Sequence, residues 1–297
     1  MGRIHSVAPS LTENHLMKSR FAVLLHTAAP LLLASTAFAA STSINTGSLG
    51  AAANGTNSDT VTVASGVLGG ADKAASYSNT ASPAAITTIP YQIALNPASG
   101  SAFTIEFWAN PSISNNNNAP VSNRVSSGNR SGWAFFQRAE AAGWNFVMYN
   151  GASSGRGWDL TGGTAPLNAW SHVVATWNGS AATLYVNGAL ADNTNSPNGA
   201  VAYNASLTAT FAAGGLADSN SPYGGLLDEV AFYGTALTPT QIQNHFNLVS
   251  SNPGSYQSTV LADGARLQLT NVPEPTAIGL LGLSGLALLR RRSRTAA

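Results

Sequence analysis

WSHVVATWNGSAATLYVNGAL, residues 170–190, is the stretch that decides the fold. Trp170–Trp177 and Ala182–Asn187 are two short runs rich in β-branched and aromatic residues. Such residues suit a pleated, half-buried surface. Asn178, Gly179, Ser180 and Ala181 join the runs, which predicts an antiparallel hairpin. Asn178-Gly179 is expected to supply the positive φ angles that a tight turn needs. Asn187-Gly188 repeats the device before Ala189 and Leu190.

Working outward, the same period-2 pattern recurs over residues 60–233. In SAFTIEFWANP, Phe103, Ile105, Phe107 and Ala109 share one face, and Thr104, Glu106, Trp108 and Asn110 the other. WAFFQR (133–138) and WNFVMYN (144–150) are two aromatic strands, joined through Ala139–Gly143 as a hairpin. VAYNASLTATFAA (201–213) and GLLDEVAFYG (225–234) complete the set, and Val61–Val63 and Ala85–Ile89 are expected to supply the first strands. Strands and turn signals at this spacing predict an all-β sandwich. One helix signal stands out. Thr238 is placed as N-cap, with Pro239 at the first helical position and Gln241 three residues after the cap. Ile242, His245 and Phe246 then fall on one face of one short helix.

Composition narrows the function. The 297 residues include 29 Gly, 14 Pro and no Cys, and only 8% are charged. The absence of Cys excludes a disulfide scaffold, a thiol nucleophile and a cysteine zinc site. Of 13 Lys and Arg, seven lie in the end segments, and so do two of the 12 acids. The middle therefore carries six cations against ten carboxylates, a balance that argues against a nucleic-acid partner.

The two ends read as addresses. MKSR (17–20) is a short basic region, followed by the apolar run FAVLLHTAAPLLLASTAF and by Ala37-Phe38-Ala39, an A-x-A cleavage site. We read residues 1–39 as a leader whose secretory signal begins at Met17, the start of translation. At the other end, Pro273-Glu274-Pro275 precedes an apolar run from Ala277 to Leu289, followed by Arg290, Arg291, Arg292 and Arg294. The basic cluster keeps the extreme C-terminus cytoplasmic. This tail, residues 272–297, resembles the PEP-CTERM sorting signal of Gram-negative bacteria. The resemblance implies that exosortase, a membrane protease, recognises Pro273, Glu274 and Pro275 and cleaves nearby. It further implies transient anchoring of the tail as an inner-membrane helix, and a final place in the envelope, at the cell surface or outside the cell.

FTIEFWANP, the 170–190 stretch and GGLLDEVAFYGTALTPTQIQNHF resemble, in order and spacing, the core of LamG-like jelly-roll domains of the concanavalin A-like lectin and glucanase superfamily. The resemblance implies two curved antiparallel sheets over residues 40–249 and a role in binding rather than catalysis. Residues 250–271 are then a linker or an extra strand, through Ala265–Leu269.

The chemistry-bearing residues are few. Related glucanases use an E-x-D-x-E strand, and nothing here matches it. Glu106 stands alone on its strand, and adjacent Asp228 and Glu229 are expected to point to opposite faces. His172 and His245 lack metal-ligand spacing and are read as structural. No serine has a G-x-S-x-G context. Asp228 is expected on the buried face with Leu226, Val230 and Phe232, where a carboxylate must be paired, hydrogen-bonded or metal-bound. LamG-like domains often hold Ca²⁺, so Asp228 is assigned either to a structural calcium ion or to a tie between the last strand and a loop. Trp158 and Asp159, in the Gly-rich GASSGRGWDLTGG, are the candidates for a ligand surface with Asn115–Asn118, Arg124 and Arg130, the alternative being that Trp158 covers a sheet edge. The expectation is an exported, non-catalytic protein that binds polysaccharide, with signal peptidase and exosortase as processing partners. A structural or adhesive surface protein is the alternative reading, and a glucanase-type hydrolase the third.

Overall fold

The computed structural model describes residues 42–271 apart from 82–83, 97, 99, 115–116, 126–128, 153–154, 195–210 and 217–220. The leader, the sorting tail with Pro273, Glu274 and Pro275, and most of the 201–213 strand lie outside the described residues. Among the described residues no helix is long and apolar enough to cross a membrane.

The described chain is dominated by strands, in this order: β1 (Thr42–Asn45), β2 (Gly55–Asn57), β3 (Thr62–Ser65), β4 (Lys73–Tyr77), β5 (Thr87–Ile89), β6 (Phe103–Pro111), β7 (Val121–Ser122) and β8 (Trp133–Gln137). There follow β9 (Trp144–Tyr149), β10 (Arg156–Gly162), β11 (Ser171–Trp177), β12 (Ala182–Val186), β13 (Ala189–Asp192), β14 (Phe211–Ala213) and β15 (Gly225–Tyr233). Helices α1 (Pro239–Ser251) and α2 (Tyr256–Ala262) lead to the last strand, β16 (Ala265–Asn271).

One antiparallel ladder runs β10-β9-β8-β7-β14-β5-β2-β1-β16-β15-β6-β11-β12-β13, and β3 and β4 attach to β15. The ladder doubles over itself. Phe107 of β6 meets Phe135 of β8 edge-on at 4.9 Å and Trp144 of β9 at 6.2 Å. Trp158 of β10 sits against Trp177 of β11 at 5.3 Å. The alternation of β6 therefore works as expected, with Phe103, Ile105, Phe107 and Ala109 in the core between the sheets.

The other face of β6, β11 and β15 is buried as well. Trp108, Val174, Ala231 and Tyr233 pack beneath Ile242 of α1 and Tyr256 and Val260 of α2. The capping box of α1 forms as the sequence predicts. Thr238 accepts from the Gln241 backbone, and the Gln241 side chain accepts from the Thr238 backbone. The second helix was not expected. Its buried residues, Tyr256 and Val260, make too sparse an apolar stripe to read as amphipathic. Residues 265–271, expected as linker or extra strand, are a strand that pairs with both β1 and β15.

The turns differ from each other. Asn187 (φ 51°) and Gly188 (φ 75°) both adopt positive φ, as the β12–β13 hairpin requires. A Cβ on Gly188 would also come within 2.8 Å of the Gln243 side chain on α1. In the β11–β12 turn only Gly179 is positive (φ 98°). Asn178 instead accepts the backbone N–H groups of Ser180 and Ala181 on its own side chain.

Strand β15 carries the largest departure. Asp228 lies opposite Trp108, and Ala231 opposite Glu106, so β15 has one residue more than β6 across this interval. Glu229 absorbs the extra length at φ 48°, a β-bulge. The bulge divides the expected face: Val230 and Phe232 point inward as predicted, and the residues before it are reversed. Leu227, Val230 and Phe232 enter the inter-sheet core, while Asp228 lies opposite Trp108 on the other side.

Candidate functional site

Four groups of polar side chains were weighed as sites. The first is sealed under the helices. Glu106 has no exposed surface, and its carboxylate accepts from His172 Nε2 (2.8 Å), Tyr233 Oη (2.8 Å) and Tyr256 Oη (2.9 Å). His245 Nδ1 reaches the same carboxylate at 3.0 Å, and its Nε2 reaches Asp263 at 2.8 Å. Burial disfavours the charge on Glu106, but the positive charge of His245 and hydrogen bonds from both histidines hold its carboxyl far below the usual range. Burial likewise opposes charge on His245, and Glu106 more than offsets it, so the imidazole is raised. Glu106 and both imidazoles are enclosed, so substrate cannot reach them, and the cluster pins α1 and α2 to the sheet. Sequence reasoning left Glu106 alone because its partners lie 66 to 150 residues away.

The second group surrounds Asp228. Its carboxylate accepts the backbone N–H of Val67 (2.8 Å) and of Glu229 (3.0 Å). The tie from the last strand to a neighbouring loop is thus present. Asp228 is buried as expected, but with Trp108 rather than with Val230 and Phe232. The bulge also brings Glu229 to the same side instead of the opposite one. Carboxylate oxygens of Asp72, Asp228 and Glu229 all lie within 4.8 Å of one another. Burial, then the neighbouring charges of Glu229 and Asp72, push Asp228 well up. Burial also pushes Glu229 up to about 7, against hydrogen bonds from Gln257 and Gln268. Three carboxylates this close need a proton or a cation between them. Their all-oxygen donor set fits calcium. Asp72, alone of the three, lines with Gln257 a hollow of about 310 Å³.

The third group is the outer face of β8, β9 and β10. Asp159 is there and exposed, paired with Arg156. Asn145 Nδ2 donates to Asp159 (2.6 Å) and Thr161 (2.9 Å). Trp158 is not on this surface. It is 5% exposed and belongs to the inter-sheet core, because alternation along β10 sends Trp158 and Leu160 inward and Asp159 and Thr161 outward. Arg124 lies over the Tyr149 ring on the same face, and Asn117 accepts from Arg138.

The fourth is a groove of about 740 Å³ between the β12–β13 hairpin and α1. The exposed face of α1 contributes Thr240, Gln243, Asn244 and Asn247 at helical spacing, and the hairpin contributes Thr183, Tyr185, Leu190 and Asn193. Among the described residues, no charged one lines it. Leu190 stands 56% exposed at its wall. The hydrophobic face of α1 points to the sheet, so its amides are left for the groove. Sequence reasoning missed this site. The surplus of amides on the polar face of the predicted helix was the available signal.

A family model described as "Concanavalin A-like lectin/glucanases superfamily" matches residues 85–243. No curated protein matches the chain in sequence. Among solved structures, the binding domain of Paraclostridial Mosquitocidal Protein 1 is similar, at 19% identity and a TM-score of 0.52. That match covers 70% of this chain and 52% of the other, so the chain spans about half of that domain. Domain 4 of AbnA, an extracellular arabinanase from Geobacillus stearothermophilus solved with arabinotriose, is similar at 22% identity and a TM-score of 0.45, over 63% of this chain and 81% of that one. The likeness to the mosquitocidal protein is one of fold. With the family match spanning more than half of the chain and a doubled antiparallel ladder beneath it, this protein belongs to the concanavalin A-like lectin/glucanase superfamily.

Proposed function

We propose that this protein is an exported, non-catalytic glycan-binding protein. The observation that carries the reading is the uncharged groove beside α1. Its Asn and Gln side chains each offer a donor and an acceptor, which suits the paired hydroxyls of a sugar ring. Leu190 and Tyr185 add apolar surface for the ring's C–H face. The described residues that line the groove include no carboxylate, whereas glycoside hydrolysis works through a pair of them. In this reading signal peptidase removes the leader. The tail then anchors the chain in the inner membrane until exosortase acts at Pro273-Glu274-Pro275. Asp72, Asp228 and Glu229 would hold a calcium ion, which when bound would offset most of their negative charge and fasten the 66–72 loop to β15.

The test is retention of the mature protein on a panel of immobilised polysaccharides, with reducing ends assayed in parallel. Retention without chain cleavage is expected. Gln243→Ala and Asn244→Ala each weaken it about tenfold, the worth of a well-made hydrogen bond. Retention on no glycan refutes the reading, and release of reducing ends restores the hydrolase.

A further inference from the structure

The body's net charge conceals a strongly uneven distribution. Of the six cations among residues 41–271, Arg124, Arg130, Arg138 and Arg156 gather on the outer face of β8–β10, away from the groove. Arg124 stacks 5.2 Å from the centre of the Tyr149 ring, and Arg138 lies 5.3 Å from that of Phe136. Both rings are buried in a small apolar floor of their own, separate from the inter-sheet core. Arg156 lies opposite Tyr149 in the β9–β10 pairing, and the Arg130 backbone bonds to Gly151 and Ala152 just beyond it. Arg138 is lowered by burial and then by Arg156. Asp159 is the only carboxylate on strands β7 to β10, and it pairs with Arg156. Arg138 donates to the neutral amides of Asn117 and Asn145. Arg124 Nε is buried with no hydrogen-bond partner among the described residues.

A guanidinium laid flat on an aromatic ring is held in place, yet keeps its N–H edge for a planar acceptor. Carboxylate is the acceptor that fits this edge with two parallel bonds. We propose that this face binds uronate-bearing polysaccharide, with sugar carboxylates docked on Arg124, Arg130 and Arg156. The inference rests on the reading of the body as a glycan binder and adds a second surface to it. A duplex nucleic acid is disfavoured by the excess of carboxylates elsewhere on the body.

Affinity electrophoresis of the mature protein tests this, with polygalacturonate, its fully methyl-esterified form, dextran sulfate, poly-dT and the neutral glucan laminarin as probes. Polygalacturonate is expected to retard the protein, and esterification to weaken binding tenfold or more. Arg130→Gln with Arg156→Gln should weaken it by a similar factor while leaving melting and laminarin binding unchanged, since Arg124 and Arg138 are the two that lie over the Tyr149 and Phe136 rings. Equal retardation by the methyl ester overturns the proposal. Equal or tighter retention by poly-dT or by dextran sulfate also overturns it, by showing a phosphate or a sulfate surface. Binding of laminarin without polygalacturonate overturns it and leaves the groove reading intact, whereas binding of neither removes both.

Discussion

Replacing Glu106 by Gln should be among the most damaging single changes in the body. The carboxylate accepts from two imidazoles and two phenols, at 2.8 to 3.1 Å, with no water in reach. Gln keeps the shape but presents an NH₂ group where a donor already points, and it removes the charge that raises His245. Breaking a buried pair by removing one partner costs about 3–5 kcal/mol. For a body of this size, one kcal/mol shifts the melting point by about 2–4 °C, so a loss of roughly 6–20 °C is expected. The pH dependence has a definite sign. The carboxyl of Glu106 is lowered, so its contribution is present above its unfolded value near ~4.3 and lost as pH falls through the lower folded value. His245 is raised, so its contribution is present below about 6.5 and lost as pH rises through the higher folded value. The gap in melting temperature between native protein and variant, followed by circular dichroism, should be widest near pH 5–6 and narrower above pH 8. A gap under about 2 °C, or one that grows steadily to pH 9, refutes the reasoning.

Other consequences follow from other parts of the fold. Asp228 and Glu229 are both raised, so without calcium their contribution is present at low pH and lost as pH rises, that of Glu229 through about 7. The EDTA-treated protein should therefore lose melting temperature between pH 5 and 8, calcium should restore it, and Asp228→Asn should abolish the restoration; melting indifferent to calcium counts against the ion. Gly188→Ala forces a Cβ at φ 75° against α1 and should cost at least about 1–2 kcal/mol in urea unfolding, while weakening glycan retention at the groove. Glu274→Ala should leave uncleaved, membrane-retained protein in the native host, visible by mass spectrometry of the C-terminus; normal processing removes the sorting argument.

Alternation and turn chemistry were legible wherever both acted locally. Phe103 to Ala109, the Asn187-Gly188 turn and the Thr238 capping box all form as the residues dictate. Trp158 was misjudged because its Gly neighbours suggested display. The alternation of Trp158 with Asp159 and Leu160 carried the better signal. The bulge at Glu229 has no local signature, since a single inserted residue changes nothing in composition yet parts Asp228 from Val230 and Phe232, which stay in the core. Arg124 and Arg130 could be named from their loops, but only the register of β8, β9 and β10 brings Arg138 and Arg156 beside them. The Glu106 cluster and the groove depend on where α1 docks, which is set by long-range packing.

The central claim is that the amide-lined groove beside α1 takes a sugar. A titration of isotope-labelled mature protein with a retained glycan, watched by NMR, tests it most directly. The account predicts saturable shifts of the side-chain amides of Asn193, Gln243, Asn244 and Asn247 and of the Leu190 methyls. Saturation with those resonances unmoved would contradict it.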